Sequence, residues 1–311
     1  MTPEEIADAR QRRYNGTITW LRKPHPDLMV FRVKPDFPRP PHRAGQYCSL
    51  GLGNWEPRTP GCQEEELKPT DEPKVVRRAY SISCSILGEG GELEDLANTD
   101  FLEFYVTLVR EGSDPAKAPA LTPRLFMLRE GDRLNIGEKI TGHYNLEPVK
   151  PGDTVLFLGT GTGEAPHNYM TWELLKGGHT GKVLQACCVR MKRDLAYLDI
   201  HRRLMEKFPN YTYMALTTRE ADTISHKVYI QDLIQSGLLE QKLGHTLDPA
   251  TTHVFLCGNP KMIGVPVKNR ETGAREYPQP LGVIEVLERR GFHADNAAAK
   301  FKGNIHFEEY W

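Results

Sequence analysis

TVLFLGTGTGEAP, residues 154–166, sets an apolar run against a glycine-rich turn, and the turn leads into a stretch with helical spacing. A strand ending in Gly159-Thr160-Gly161-Thr162-Gly163 and opening a helix at Glu164-Ala165-Pro166 exposes backbone N–H groups beside the positive end of the helix dipole. Such a turn suits a pyrophosphate. The spacing is G-x-G-x-G and not the G-x-G-x-x-G of the dinucleotide fingerprint, so a purely structural glycine turn remains open at this point.

Downstream of the turn, further strand signals (KVLQACCV, YTYMALTT, HVFLCG) alternate with helical segments at 164–176, 198–207, 229–239 and 281–290, the pattern of a parallel α/β sheet. Residues 264–280 interrupt this pattern with turn residues and read as an inserted surface loop. Upstream the period changes. Residues 17–53 alternate apolar and polar positions (TITWL, LMVFRV, QYCSLGL) around the proline-rich KPDFPRPPHRAG, which predicts short antiparallel strands joined by turns. Residues 54–74 hold four prolines and six acidic residues and predict a long exposed loop. Strand signals resume at VVRRAYSISCSI, EFYVTLVR and GDRLNIGEKITG, with a short helix expected over RLFML after Thr122-Pro123. The fold class expected is therefore two-domain, β followed by α/β, with residues 1–150 in the first domain and 151–311 in the second.

Composition excludes several classes. No apolar run approaches the ~18 residues of a membrane span, and the mixed-charge MTPEEIADARQRRYNG lacks the apolar centre of a secretory signal, so a cytoplasmic protein is expected. A formal net charge of −1 advertises no nucleic-acid partner. The six cysteines contain no C-x-x-C pair and no cluster spacing, so no metal is expected.

Candidate binding residues lie at strand ends. Arg190-Met191-Lys192-Arg193 follows KVLQACCV, where an acidic residue would often hold ribose hydroxyls, and basic residues there favour a 2′-phosphate. Thr218-Arg219 follows YTYMAL, and Lys227-Val228-Tyr229-Ile230-Gln231 opens the next helix. Arginine and lysine can grip phosphate oxygens while a tyrosine ring stacks on adenine. In the β half, Arg78-Ala79-Tyr80-Ser81 offers a cation for a pyrophosphate, a ring for an aromatic face and a hydroxyl for a ring nitrogen. Leu121-Thr122-Pro123-Arg124-Leu125 puts a hydroxyl and free N–H groups at a helix start, a second anion site.

Arg78-Ala79-Tyr80-Ser81, Thr122-Pro123-Arg124-Leu125, the turn from Gly159 to Pro166, Cys257-Gly258-Asn259-Pro260-Lys261-Met262 and the terminal Tyr310-Trp311 occur in the order of the ferredoxin (flavodoxin)–NADP+ reductases, which the chain resembles from about residue 15 onward. The Arg-Ala-Tyr-Ser form and the Tyr-Trp ending are similar to the bacterial branch, whereas Lys227 to Gln231 is similar to the plant and cyanobacterial branch. The resemblance implies an N-terminal antiparallel β-barrel holding FAD and a C-terminal parallel-sheet domain holding NADP(H), with nicotinamide meeting flavin. It assigns Arg78 to the FAD pyrophosphate, with Ala79 beside it, Tyr80 to one flavin face and Ser81 to the neighbourhood of flavin N5. Tyr105, Val106 and Thr107 match positions lining the flavin or its ribityl chain, Thr122 a pyrophosphate contact, Thr162 a contact near the domain junction, and Gly161 and Gly163 belong to the dinucleotide turn. Arg190, Thr218, Arg219, Lys227, Tyr229 and Gln231 fall to the adenosine end, and Cys257, Gly258, Asn259 and Met262 to the nicotinamide end. Tyr310 matches the aromatic that covers the opposite flavin face, and Trp311 one that packs on the FAD adenine. Glu308 resembles a carboxylate that relays protons or positions the nicotinamide, with Glu309 as its rival, so Ser81, Cys257, Glu308 and Tyr310 form the implied catalytic set.

The implied activity is that of an NADPH-dependent flavoprotein oxidoreductase working as a monomer with ferredoxin or flavodoxin. Two alternatives stand beside it: a flavin reductase or the reductase component of an oxygenase, and a flavin electron-transfer subunit without its own NADP+ chemistry.

Overall fold

The computed structural model describes residues 1–88 and 90–310. By its internal contacts the chain forms two compact units, one of residues 1–84 and 95–143, the other of residues 85–94 and 144–311. Residues 85–94 and 144–150, which the division expected near residue 150 assigns to the first domain, thus group with the second.

The first unit opens with a helix that the hydrophobic pattern does not announce, α1 (Pro3–Arg13). Its signal is local: Thr2 and Glu5 form a capping box, Pro3 occupies the first turn, Glu4 and Glu5 face the N-terminus, and Arg10, Arg12 and Arg13 the C-terminus. Six strands follow: β1 (Gly16–His25), β2 (Leu28–Pro35), β3 (Tyr47–Gly53), β4 (Val75–Ser81), β5 (Leu102–Thr107) and, after α2 (Thr122–Leu125), β6 (Arg133–Ile136). They form one antiparallel sheet in the order β4-β3-β6-β1-β2-β5, and a bridge between Ser83 and Glu103 joins its two ends into a barrel. Alternate residues of these strands fill the interior, Ile18, Phe31, Leu50, Phe104 and Leu134 among them, each side chain contributing about 1.5–3 kcal/mol by its burial.

Residues 54–74 are not the free loop their composition suggests. Glu56 is buried against Arg10 (2.6 and 2.8 Å), Tyr14 Oη (2.8 Å) and Trp55 Nε1 (3.0 Å). Burial works against the Glu56 charge, but these hydrogen bonds outweigh it and hold the carboxyl below its ordinary range. Glu65 pairs with Arg58 (3.0 Å) and with the buried Arg124 (2.6 Å).

In the second unit, β7 (Thr154–Thr160), α3 (Glu164–Lys176), β8 (Val183–Val189), α4 (Leu198–Lys207), β9 (Tyr211–Thr217), α5 (Ile230–Gln235), α6 (Leu238–Leu243), β10 (Thr252–Gly258), α7 (Pro260–Ile263), the short pair β11 (Val267–Lys268) and β12 (Arg275–Glu276), α8 (Val283–Glu288) and β13 (Ile305–Glu309) alternate as expected. The expected helix over 229–239 is two, because Gly237 adopts a left-handed conformation between α5 and α6. The surface insertion at 264–280 carries the antiparallel pair β11–β12. The five long strands are parallel in the order β13-β10-β7-β8-β9, so the sheet reverses direction of growth between β7 and β10. In open parallel sheets of this kind, ligands bind outside the carboxyl ends of the strands at that switch point.

Candidate functional site

In the first unit, β4 is bonded along its length only to β3, which leaves residues 77–79 exposed. Among the described residues the Arg78 guanidinium reaches only the Arg77 carbonyl (2.8 Å), Tyr80 is half-buried with its phenol pushed up by burial, and Ser81 is buried at the strand's end. The Ser83–Glu103 bridge then brings this strand beside β5, where Tyr105 and Val106 are buried and Thr107 is half-buried. Thr122 opens α2, and its Oγ1 accepts the Val109 N–H (3.1 Å), which ties the helix start to the chain leaving β5. Arg78 to Ser81, Tyr105 to Thr107 and Thr122 are thus gathered by the barrel's closure and by one side-chain bond.

In the second unit the glycine turn lies at the switch point. Gly161 has φ +55°, and a Cβ there would meet nothing within 4 Å; the turn is open on that side. Gly163 faces the opposite constraint, since a Cβ would lie 2.2 Å from the Cys257 carbonyl oxygen. Cys257 stands beside Gly159 on β7 and beside Glu308 on β13, the Thr160 Oγ1 accepts the Asn259 N–H (2.7 Å), and the Tyr310 N–H reaches the Gly258 carbonyl (2.8 Å). Gly258 holds φ +121°, a conformation that leaves room for Thr160. One sheet edge therefore brings together Gly161 to Gly163, Cys257 to Asn259, Glu308 and Tyr310.

Burial, and after it the Glu308 carboxylate, push the Cys257 thiol well above its ordinary range, so it stays a neutral donor. Of the two terminal glutamates, Glu308 is the one whose charge bears on Cys257; Glu309 pairs in register with Gly258, and burial raises its carboxyl. Burial, and after it the nearby acidic groups, raise the Tyr144 phenol well above its ordinary range, and its Oη lies 2.7 Å from Nε2 of His167, an imidazole that burial lowers to about 3. His167 is therefore neutral and shares a hydrogen bond with the tyrosine hydroxyl.

The basic residues lie on the next strand ends. Arg190 is exposed and its Nε approaches Asp194 (3.2 Å); the Arg219 N–H bonds the Arg190 carbonyl (2.8 Å), and the Thr218 Oγ1 that of Val189 (3.2 Å). Arg219, Lys227 and Tyr229 are exposed. Gln231 spends its amide on the Leu281 carbonyl (3.1 Å), and Met262 packs its side chain into the apolar core. Trp311 lies outside the described residues. Among the described residues no group of three or more His, Cys, Asp or Glu side chains is arranged to hold a metal, and no helix is long and apolar enough to cross a membrane. The sequence reading passed over Glu164, His201 and Tyr213, which meet beneath the turn. Tyr213 Oη donates to Glu164 Oε1 at 2.6 Å.

Residues 157–267 match the family model described as an oxidoreductase NAD-binding domain. The flavodoxin/ferredoxin–NADP reductase of Escherichia coli K12 is 28% identical over 235 residues, 75% of this chain and 81% of that protein. Its counterpart in Rhodobacter capsulatus is 27% identical over 269 residues, 82% and 84% of the two chains. Among solved structures, a ferredoxin NADP+ reductase from Neisseria gonorrhoeae with bound FAD and NADP shares the fold, with a TM-score of 0.66 at 21% identity, covering 95% of this chain and 97% of that one. A cytochrome P450 reductase from Amycolatopsis also shares it, with a TM-score of 0.58 at 20% identity, over 95% of this chain and 69% of that one. These relatives span both units, and over most of its length the chain is similar to the flavodoxin/ferredoxin–NADP reductases.

Proposed function

We propose that the protein is an NADPH-dependent flavoprotein oxidoreductase that binds FAD and NADP(H) and exchanges electrons between NADPH and a ferredoxin or flavodoxin. The observation that carries this reading is the glycine turn at the switch point with Cys257, Glu308 and Tyr310 beside it. The residues fit both groups. Gly161 leaves open space before the turn for a pyrophosphate, and Arg78 on its exposed strand is not consumed by any carboxylate among the described residues. FAD, when bound, supplies the conversion between hydride transfer and single-electron transfer.

The chain's own part is to bind, orient and tune. Arg78 and Thr122 take the FAD pyrophosphate, while Tyr80 and Ser81, with Tyr105 to Thr107, hold the ring system. Gly161 to Gly163 and Asn259 receive the dinucleotide's phosphates and nicotinamide end, and Arg190, Thr218, Arg219, Lys227 and Tyr229 hold its adenosine end. Cys257, kept as a thiol by burial, and Glu308 orient the nicotinamide without forming a covalent bond to it. Tyr310 covers the flavin face and yields to the nicotinamide. We place the protein in the cytoplasm as a monomer, with the first unit as the FAD domain and the second as the NADP(H) domain.

NADPH-dependent reduction of cytochrome c, with and without added ferredoxin or flavodoxin, tests the reading. Strong stimulation by a carrier is expected; a rate indifferent to both carriers would favour a flavin reductase. Protein purified without visible flavin absorbance would remove the FAD assignment itself.

Arg219→Ala probes the adenosine end. A charge-assisted hydrogen bond to a 2′-phosphate contributes about 1.5–3 kcal/mol, so kcat/KM for NADPH is expected to fall by roughly 10- to 100-fold while that for NADH changes little. An unchanged NADPH-to-NADH ratio would move the 2′-phosphate away from Arg219.

A further inference from the structure

Arg190 directly follows β8, the strand that pairs with β7 and its glycine turn. Its main chain is fixed from the loop after β9: the Arg190 carbonyl accepts the N–H of Arg219 (2.8 Å) and that of Thr218 (3.3 Å), while the Thr218 N–H and hydroxyl also reach the Val189 carbonyl (3.1 and 3.2 Å). The two loops are joined once more where Glu220 Oε1 accepts the Lys192 N–H (2.6 Å).

The side chain of Arg190 is held as well. Asp194, 7% exposed, stands four residues on, and its Oδ2 accepts both the Arg190 Nε–H and the Met191 N–H (3.2 Å each). The Asp194 N–H donates in turn to the Met191 carbonyl (2.8 Å), so the carboxylate is locked to the tight turn Lys192–Asp194. The directions of these bonds are fixed, because a guanidinium and backbone N–H groups can only donate.

What remains of Arg190 is its fork. Nη1 and Nη2 make no hydrogen bond among the described residues, and the side chain is 51% exposed. An arginine anchored through Nε presents two parallel N–H directions that match two oxygens of one phosphate. The neighbouring cations lack such an anchor: the side chains of Lys192, Arg193, Arg219 and Lys227 are exposed and make no hydrogen bond or ion pair among the described residues. Ordering them on a ligand costs rotamer freedom that Arg190 has already lost on folding.

We propose that Asp194 is a positioning residue for recognition of the 2′-phosphate, holding Arg190 at Nε so that its terminal nitrogens receive the phosphate oxygens, and that it thereby contributes to the preference for NADPH over NADH. The inference rests on the reading of these loops as the adenosine end of the NADP(H) site. Asp194 acts through Arg190, for its own negative charge would repel a phosphate.

Steady-state kinetics with NADPH and NADH, and calorimetric titration of the FAD-loaded enzyme with NADP+, test this on Asp194→Ala, Asp194→Asn, Arg190→Ala and the combination of Asp194→Ala with Arg190→Ala. Asp194→Ala is expected to raise KM for NADPH and Kd for NADP+ roughly 3- to 10-fold, the effect of having to order one freed arginine on the ligand. KM should move more than kcat, and the NADPH-to-NADH ratio of kcat/KM should fall with it. Asp194→Asn keeps an acceptor oxygen for Arg190 and should lose less. Once Arg190→Ala has lowered the ratio, adding Asp194→Ala should lower it no further, since residues that act as one unit are not additive; a residue that only stabilised the loop would go on costing affinity. An unchanged Kd in Asp194→Ala, equal penalties with and without Arg190, a loss shared equally by NADH, or tighter binding of NADP+ by either Asp194 variant overturns the inference and leaves the NADP(H) reading intact. An Arg190→Ala enzyme with the wild-type NADPH-to-NADH ratio removes the 2′-phosphate from this loop, and the inference goes with it.

Discussion

Gly163→Ala is expected to lower kcat/KM for NADPH by about two orders of magnitude while leaving FAD bound. The reason is contact and not conformational freedom, for Gly163 has an ordinary helical φ of −58°. A methyl group there would lie 2.2 Å from the carbonyl oxygen of Cys257, 2.6 Å from its carbon and 3.0 Å from the Gly258 nitrogen. All three are backbone atoms at the end of a central strand, so no side chain can swing aside to relieve the clash. The turn must lift off β10, and a displacement of about 1 Å in a positioning element costs roughly 100-fold in rate. Gly161→Ala supplies the contrast. Its Cβ would enter open space, and the cost is confined to the left-handed conformation, about 1–2 kcal/mol. Steady-state kinetics with NADPH, alongside flavin content, distinguish the two: a Gly163→Ala enzyme within a few-fold of wild type would mean that this turn does not carry the dinucleotide.

That the decisive turn could be read from residues 154–166 has a physical basis. Strand, glycine turn and helix are contiguous, and the groups that bind are backbone N–H groups, so local sequence contains the geometry. The barrel strands were legible for a similar reason, since alternation fixes which residues enter the core. Helix α1 escaped because its signal is a capping box and a charge gradient, with Ala9 its only buried residue. Residues 54–74 read as a free loop because each anchor is distant in sequence: Glu56 binds Arg10, and Glu65 binds Arg124. Glu164 was passed over for a related reason. An acidic residue in a first helical turn is ordinary, and only folding brings His201 and Tyr213 against it.

Arg124→Ala is expected to destabilise the first unit by about 3–5 kcal/mol, the cost of removing one member of a buried ion pair. The Arg124 side chain is 1% exposed and uses its two terminal nitrogens on the Ala120 carbonyl, the Asn54 carbonyl (2.9 Å) and Glu65 Oε2 (2.6 Å). Alanine leaves both carbonyls without that donor, leaves Glu65 to Arg58 alone and opens a cavity the size of the lost side chain. Lysine is no remedy, since one ammonium cannot reproduce the planar fork. The damage should also reach the FAD site. Thr122 begins the same four-residue helix, and Thr59 binds the Pro123 carbonyl through both its N–H and its hydroxyl (2.9 Å each), so loosening residues 54–74 loosens the helix start. Thermal unfolding followed by flavin fluorescence should therefore show release of FAD well below the wild-type transition, with Glu65→Gln intermediate because it retains an acceptor for both arginines. Arg124→Ala unfolding within about 1 kcal/mol of wild type would show the pair to behave as a solvated surface ion pair, and residues 54–74 to be dispensable for the FAD unit.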